Sequence, residues 1–387
     1  MTHYDDLETR SADEREAGQL AQLRALGHDL SSLADLASLP VLRKSELAER
    51  QKEDPPFGGL AVGEWHHVFQ SPGPIYEPGG TSRDWWRFGR FFHALGIGAG
   101  DIVQNCFGYH LTPAGMMLEN GARAVGARVL PAGTGQTELQ AQAAAHVGTT
   151  AYAGTPDYLK VILEAADAAG LTLGITKAAV SGGALFPQLR DYYADRGILC
   201  LQCYATADLG QIAYETATEG APNEGMIVDE GVIVEIVRPG TGDPVPEGEV
   251  GEVVVTSLNP DYPLLRFATG DLSAVLPGQS PCGRTNVRIV GWRGRADQTT
   301  KIKGMFVRPE QVAALVAAAP GVTRARVIAE RDGDADAMRV MIEGGDPAAV
   351  EALLPAHLKL RGAVEIAPPE GLPNDGLVIE DRRDYAS

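Results

Sequence analysis

From Asp101 onward, short apolar runs alternate with amphipathic segments, and most runs end in turn residues. Residues 102–107, 127–131 and 149–153 read as strands, and 112–125, 137–146 and 156–169 read as the helices that follow them. The next apolar run ends in Ser181-Gly182-Gly183-Ala184; an amphipathic segment, 185–196, leads to a second run, 198–203, that ends in Tyr204-Ala205-Thr206-Ala207-Asp208. Strands joined by helices in this order predict a doubly wound α/β domain with a mostly parallel sheet. Upstream, residues 1–56 read as charged and helical, and 69–80 is dense in turn residues. Residues 85–95 predict a helix whose stripe of Trp85, Trp86, Phe88, Phe91 and Phe92 belongs to the core.

After residue 213 the pattern changes. Short β runs at 228–238, 251–257, 272–276 and 287–290, separated by Pro and Gly, predict an antiparallel or barrel-like subdomain over about 213–294. The expected boundary lies in residues 291–298, giving a large domain over 1–296 and a small α+β domain over 297–387. Within the small domain, helices are expected at 308–318 and 348–358 and strands at 325–330, 338–343 and 364–366.

In open parallel sheets ligands sit beyond the carboxyl ends of the strands. The Gly182-Gly183 turn and the segment from Tyr204 to Asp208 therefore face one crevice. Glycine lets backbone approach a flat ring, Tyr204 offers a stacking face, and Asp208 offers oxygen to a metal. Together they suit a nucleotide, although an ordinary crossover with a tight turn and a surface acid reads the same residues. Cys106-Phe107-Gly108-Tyr109-His110, at another strand end, supplies a candidate acyl-pocket wall in Phe107, Tyr109 and His110, with His110 equally readable as a buried structural histidine.

Composition narrows the function classes. A net charge of −18 argues against nucleic acid and against an anionic membrane surface as partners. No apolar run approaches membrane-spanning length, and the charged N-terminus has no signal core. Four cysteines are too few for a disulfide framework and point to a cytoplasmic location. Cys200 and Cys203 match C-x-x-C, but residues three apart on a strand face opposite ways, so both are core positions.

Several motifs resemble the adenylate-forming (AMP-dependent synthetase/ligase) superfamily, in its phenylacetate–coenzyme A ligase-like branch. They are the run from Ser32 to Pro40, Gly133-Thr-Gly-Gln-Thr137, Gly154-Thr-Pro156, Arg266-Phe-Ala-Thr-Gly-Asp271, Gly294-Arg-Ala-Asp297 and Lys301-Ile-Lys-Gly304. The resemblance implies a large AMP-binding domain, a small mobile C-terminal domain, and a reaction in which a small carboxylic acid, ATP with magnesium, and coenzyme A give an acyl adenylate and then a thioester. It places Gly182, Gly183 and Ala184 along the adenine and acyl pockets, Tyr204 on the adenine, Asp271 on the ribose and Arg295 on ribose or phosphate. Asp297 becomes the hinge, and Lys301 and Lys303 approach the thiol. Asp208 stands where the family binds magnesium through Glu; the shorter side chain predicts weak binding. A homodimer is compatible with this reading.

Three departures bear on the chemistry. The stretch aligned with the family's phosphate loop reads Ser71-Pro-Gly-Pro-Ile-Tyr-Glu77-Pro78. Its prolines remove amide donors, and Glu77 is expected to place negative charge where a triphosphate must sit. Ala207 lacks the family's hydroxyl. Leu377 follows Gly376 where the family has a lysine, an electrostatic loss worth roughly a hundred- to a thousand-fold. A non-catalytic homologue that binds AMP or an acyl group, as a partner or regulator, is the alternative. Cys282-Gly-Arg-Thr285 resembles half of a zinc knuckle, but residues 209–231 hold neither Cys nor His, so no zinc is expected.

Overall fold

A computed structural model describes every residue except 1–3, 5–9, 72, 73, 184, 297, 304, 333, 334, 369 and 384–387, and the side chains of 301, 306, 332 and 335. The chain divides into two compact units. The first comprises Met1–Val234, Val255–Phe267 and Leu276–Gly291, and the second Glu235–Val254, Ala268–Val275 and Trp292–Ser387. The second unit thus takes in two segments that the sequence pattern assigned to the large domain.

In the first unit, strands Arg128–Pro131, Ile102–Asn105, Ala151–Gly154, Lys177–Val180 and Leu199–Thr206 lie side by side in that order, all parallel. Helices Ala114–Ala124, Thr137–Val147, Pro156–Ala168 and Pro187–Asp195 connect them. Pro156 and Pro187 sit in the first turn of their helices, where no amide donor is needed. Leu159, Ile162, Leu163 and Ala166 make one buried stripe that packs on Tyr152, Ala178 and Val180. Cys200 and Cys203 are both buried and free, as their strand positions require.

Two elements differ from the pattern. Residues 85–95 form a helix only over Gly89–Ala94. Arg87 adopts a φ of 65° and turns its guanidinium to the carbonyls of Leu209 and Gln211, which ends helical geometry before Phe88. The aromatic stripe is nevertheless buried. Further on, Met226–Val228 and Arg288–Ile289 do not close on themselves. They add antiparallel strands to the large sheet beyond Gly210–Tyr214.

In the second unit, the long hairpin Val322–Asp332/Ala335–Gly344 is flanked by parallel strands Ala363–Ile366 and Ile379–Asp381. Helices Pro309–Ala318 and Pro347–His357 bury Val312, Leu315, Val350 and Leu354 against it. The strand Ile379–Asp381 was not legible, because three residues after a glycine-rich turn carry too little periodicity.

Candidate functional site

The turns after the parallel strands of the first unit bring Gly182 and Phe107 together. Gly182 has a φ of +71°, and a Cβ there would lie 3.5 Å from the Phe107 ring and 3.8 Å from Thr155. The turn is held from the next strand: Ser181 Oγ donates to the Cys203 carbonyl at 3.0 Å, and Gln202 Nε2 donates to the Gly183 carbonyl at 2.7 Å. Gly182 and Gly183 are exposed, whereas Tyr204 is buried. Tyr109 is half-buried; its hydroxyl accepts from Asn105 Nδ2 at 2.8 Å and donates to Glu119 at 3.0 Å. Burial, with the Glu119 charge second, pushes that phenol above its ordinary value. His110 is exposed, so it is not a buried structural histidine. Ala184 lies outside the described residues.

Asp208 is not presented to solvent. Its side chain is fully buried, and Lys44 Nζ stands 2.9 Å from Oδ2. Lys44 begins the helix Lys44–Glu53 and lies over the Phe267 ring at 5.9 Å. Its position is set by the chain before it, where the Leu42 amide donates to the Arg266 carbonyl.

Residues 65–80 are a β-hairpin, Trp65–Ser71 against Ile75–Gly80, with Ser71 opposite Ile75. Pro72 and Gly73 lie outside the described residues. Alternation along the second strand turns Tyr76 outward and Glu77 inward. Glu77 is 1% exposed, and Ser71 Oγ donates to its Oε1. The expectation that Glu77 holds negative charge out toward a phosphate is therefore corrected. Burial pushes its carboxyl up to about 8, with the Ser71 hydrogen bond opposing and the Asp208 charge adding to the rise. Helix Lys44–Glu53 clamps the same strand, because Gln51 exchanges two hydrogen bonds with the Tyr76 backbone at 2.7 and 2.9 Å. The buried Tyr262 phenol is raised, chiefly by burial and then by the charges of Asp208 and Glu77. Glu77, Asp208 and Tyr262 thus make a buried polar cluster that Lys44 reaches from the surface. Sequence reasoning missed Lys44 and Tyr262; only the Ile75-x-Glu77 alternation could have signalled an inward Glu77.

In the second unit, Asp271 Oδ1 accepts from Arg295 Nη1 at 2.8 Å and from Trp292 Nε1 at 3.1 Å. The backbones of Asp271 and Arg295 also form a β-bridge, so Arg295 is placed on the ribose candidate rather than apart from it. Gly270, at φ +72°, leaves room for that guanidinium; a Cβ would meet Arg295 Nη2 at 2.8 Å. Lys301 lies in strand Thr300–Ile302. Lys303, at φ 47°, is exposed, and its amide donates to Asp336 at 2.9 Å. Asp297 and Gly304 lie outside the described residues. Leu377 lines a cavity of about 260 Å³ with Val250, Val312, Val316 and Leu372. Arg238 and Arg324 line the same cavity; Arg382 is held by Glu380, and Arg383 by Asp381 and Asp336.

Cys282, in the first unit, is bonded to Ser280 at 3.1 Å and Arg284 at 3.4 Å. Burial would raise its thiol, but hydrogen bonds from Ser280, Thr216 and Arg284 outweigh it and lower the pKa. No group of three or more metal-binding side chains occurs among the described residues.

The fold is that of acyl-CoA ligases of the adenylate-forming superfamily. Crystal structures of 2-hydroxyisobutyryl-CoA ligase share it. The postadenylation complex with 2-HIB-AMP matches 98% of this chain and 92% of its own at a TM-score of 0.69 and 24% identity. An open conformation with 2-HIB-AMP and CoA matches 94% and 90% at 0.68 and 23%. Phenylacetate–coenzyme A ligase from Aromatoleum evansii is 30% identical over 337 residues, covering 81% of this chain and 73% of its own. The enzymes of that name from Thermus thermophilus (29% over 330 residues; 81% and 73%) and Pseudomonas putida (29% over 378 residues; 88% and 84%) are also similar. No family model matches the chain. The chain belongs to the phenylacetate–coenzyme A ligase family.

Proposed function

We propose that this protein transfers an acyl group between AMP and the coenzyme A thiol, and that adenylation from Mg-ATP is its weak step. In the forward direction the thiolate attacks the acyl carbonyl of an acyl adenylate. A C–S bond forms, the bond from the carbonyl carbon to the phosphate oxygen breaks, AMP leaves with the electron pair, and the thiol proton passes to solvent. The acid is a small aryl or short-chain carboxylate, in keeping with the names of the relatives.

The observation that carries this reading is the inward Glu77. The hairpin that stands at the family's phosphate loop spends its Ser71 hydroxyl on Glu77, which takes that donor from a triphosphate. AMP or an acyl adenylate asks for less: a ring against the Gly182-Gly183 turn and Tyr204, and one phosphate in place of three. Lys301 and Lys303 remain the proposed contacts on the thiol side. Leu377 in its apolar cavity favours a second reading, a binder of AMP or acyl groups that performs no transfer.

The test compares thermal shifts with AMP and Mg-ATP, ATP–pyrophosphate exchange over a panel of carboxylic acids, and thioester formation from synthetic phenylacetyl-AMP with coenzyme A. AMP is expected to stabilise at least as well as Mg-ATP, with thioester formed and exchange near background. Exchange well above background overturns the proposal. Binding without thioester selects the second reading.

A further inference from the structure

We infer that the Lys44 ammonium is the resident cation of the Asp208 carboxylate, and that this position takes no divalent metal. The resemblance assigns Asp208 to magnesium, but the residues around it do not fit that ion. The Asp208 side chain is fully buried, and burying a charge is costly unless it is paired. Lys44 supplies that charge at 2.9 Å while its own side chain stays 39% exposed. The ammonium therefore enters from the protein surface and ends on the carboxylate. A divalent ion on the same oxygen would stand against a positive charge at a few ångströms, in surroundings that screen little.

Lys44 is not a chance neighbour. The Leu42 amide is bonded to the Arg266 carbonyl, and the Arg266 guanidinium is bonded to the carbonyls of Ala37 and Leu39. At the other end of the same helix, Gln51 grips Tyr76. The helix that starts at Lys44 is thus fixed to two neighbours, and its first side chain is directed at Asp208. The two other oxygen groups of the cluster do not complete a metal shell: Glu77 is engaged by Ser71 through Oε1, and Tyr262 is a neutral phenol. Magnesium demands near-octahedral oxygen geometry and is usually held by one or two carboxylates plus substrate phosphates. Here one carboxylate has a lysine on it and the other faces a serine.

This makes Lys44 a specificity-determining residue. It removes the anchor that a metal-bound triphosphate would use, because the ammonium already neutralises the carboxylate. That consequence rests on the function proposed above; the exclusion of metal does not.

The test is metal binding in the absence of nucleotide, so that it is read apart from acyl transfer. Mn²⁺ is titrated into wild-type protein and the free-ion signal is followed by electron paramagnetic resonance. No loss of free Mn²⁺ is expected up to millimolar concentration. Lys44→Met should lower the Tm, because it leaves the buried Asp208 carboxylate without its cation, and adding Asp208→Asn should restore most of that loss. Wild-type binding that Asp208→Asn removes would overturn the inference, as would a folded Lys44→Met protein whose Tm equals that of wild type. If Lys44→Met does not fold, the wild-type titration with Asp208→Asn as its control decides alone.

Discussion

The Arg266 guanidinium donates to the Leu39 carbonyl at 2.5 Å and to that of Ala37 at 3.2 Å, joining two stretches far apart in sequence. Arg266 is 1% exposed, and its amide donates to the Thr256 hydroxyl oxygen at 3.0 Å. It holds the segment that precedes Lys44, so stability and site geometry meet at this one side chain. Replacing it by methionine keeps apolar bulk but removes two hydrogen bonds from a charged donor to part-buried carbonyls, each contributing about 1.5–3 kcal/mol. Arg266→Met should lower unfolding stability by about 3 kcal/mol in urea titrations. A loss under about 0.5 kcal/mol, the level of an ordinary surface substitution, would show that the contacts carry little.

Glu77 gives the protein a pH signature. Its carboxyl ionises near the ordinary carboxylate range in the unfolded chain and at about 8 in the folded one. Between those values the folded state binds the extra proton, so this contribution is full below the unfolded pKa and is lost as pH rises through 8. Stability should therefore fall from about pH 5 to about pH 8.5, by a few kcal/mol at most. Glu77→Gln, which mimics the protonated acid, should flatten that slope and raise the Tm at pH 8.5. A slope unchanged by the substitution would assign the pH response to other groups.

Asp271 offers a cleaner test of binding than of folding. Its partner Arg295 has a half-exposed side chain, and such a pair contributes at most about 1 kcal/mol to stability. Asp271→Ala should leave the Tm within a few degrees of wild type while removing most AMP affinity by calorimetry. AMP affinity equal to that of wild type would remove Asp271 from the ribose site.

Restoring the family's lysine should not restore adenylation. Leu377→Lys puts an ammonium at the rim of an apolar cavity, where a long side chain reaches water readily. The hairpin with its inward Glu77 is unchanged by that substitution. Pyrophosphate exchange should therefore stay within a few-fold of wild type. A gain of a hundredfold or more, the scale of one restored electrostatic group, would place the whole defect at Leu377.

The sequence by itself determined the α/β class and the mostly parallel character of the central sheet. Those features depend on local period, on prolines such as Pro156 and Pro187 at helix starts, and on glycine turns such as Gly182. It also placed Cys200 and Cys203 in the core, since strand alternation is a local property. Tertiary structure decided the charges. Lys44 meets Asp208 only because Arg266 and Gln51 fix a helix from a distant part of the chain, and no local pattern encodes that meeting. The inward turn of Glu77 depends on the pairing of Ser71 with Ile75, because a slip of one residue would face it to solvent. The short helix at Gly89 has a similar cause: the carbonyls of Leu209 and Gln211 draw Arg87 into a left-handed conformation that its helix-compatible neighbours do not foretell. Periodicity reports which face of an element is apolar, whereas the partner of a buried charge is set by long-range packing.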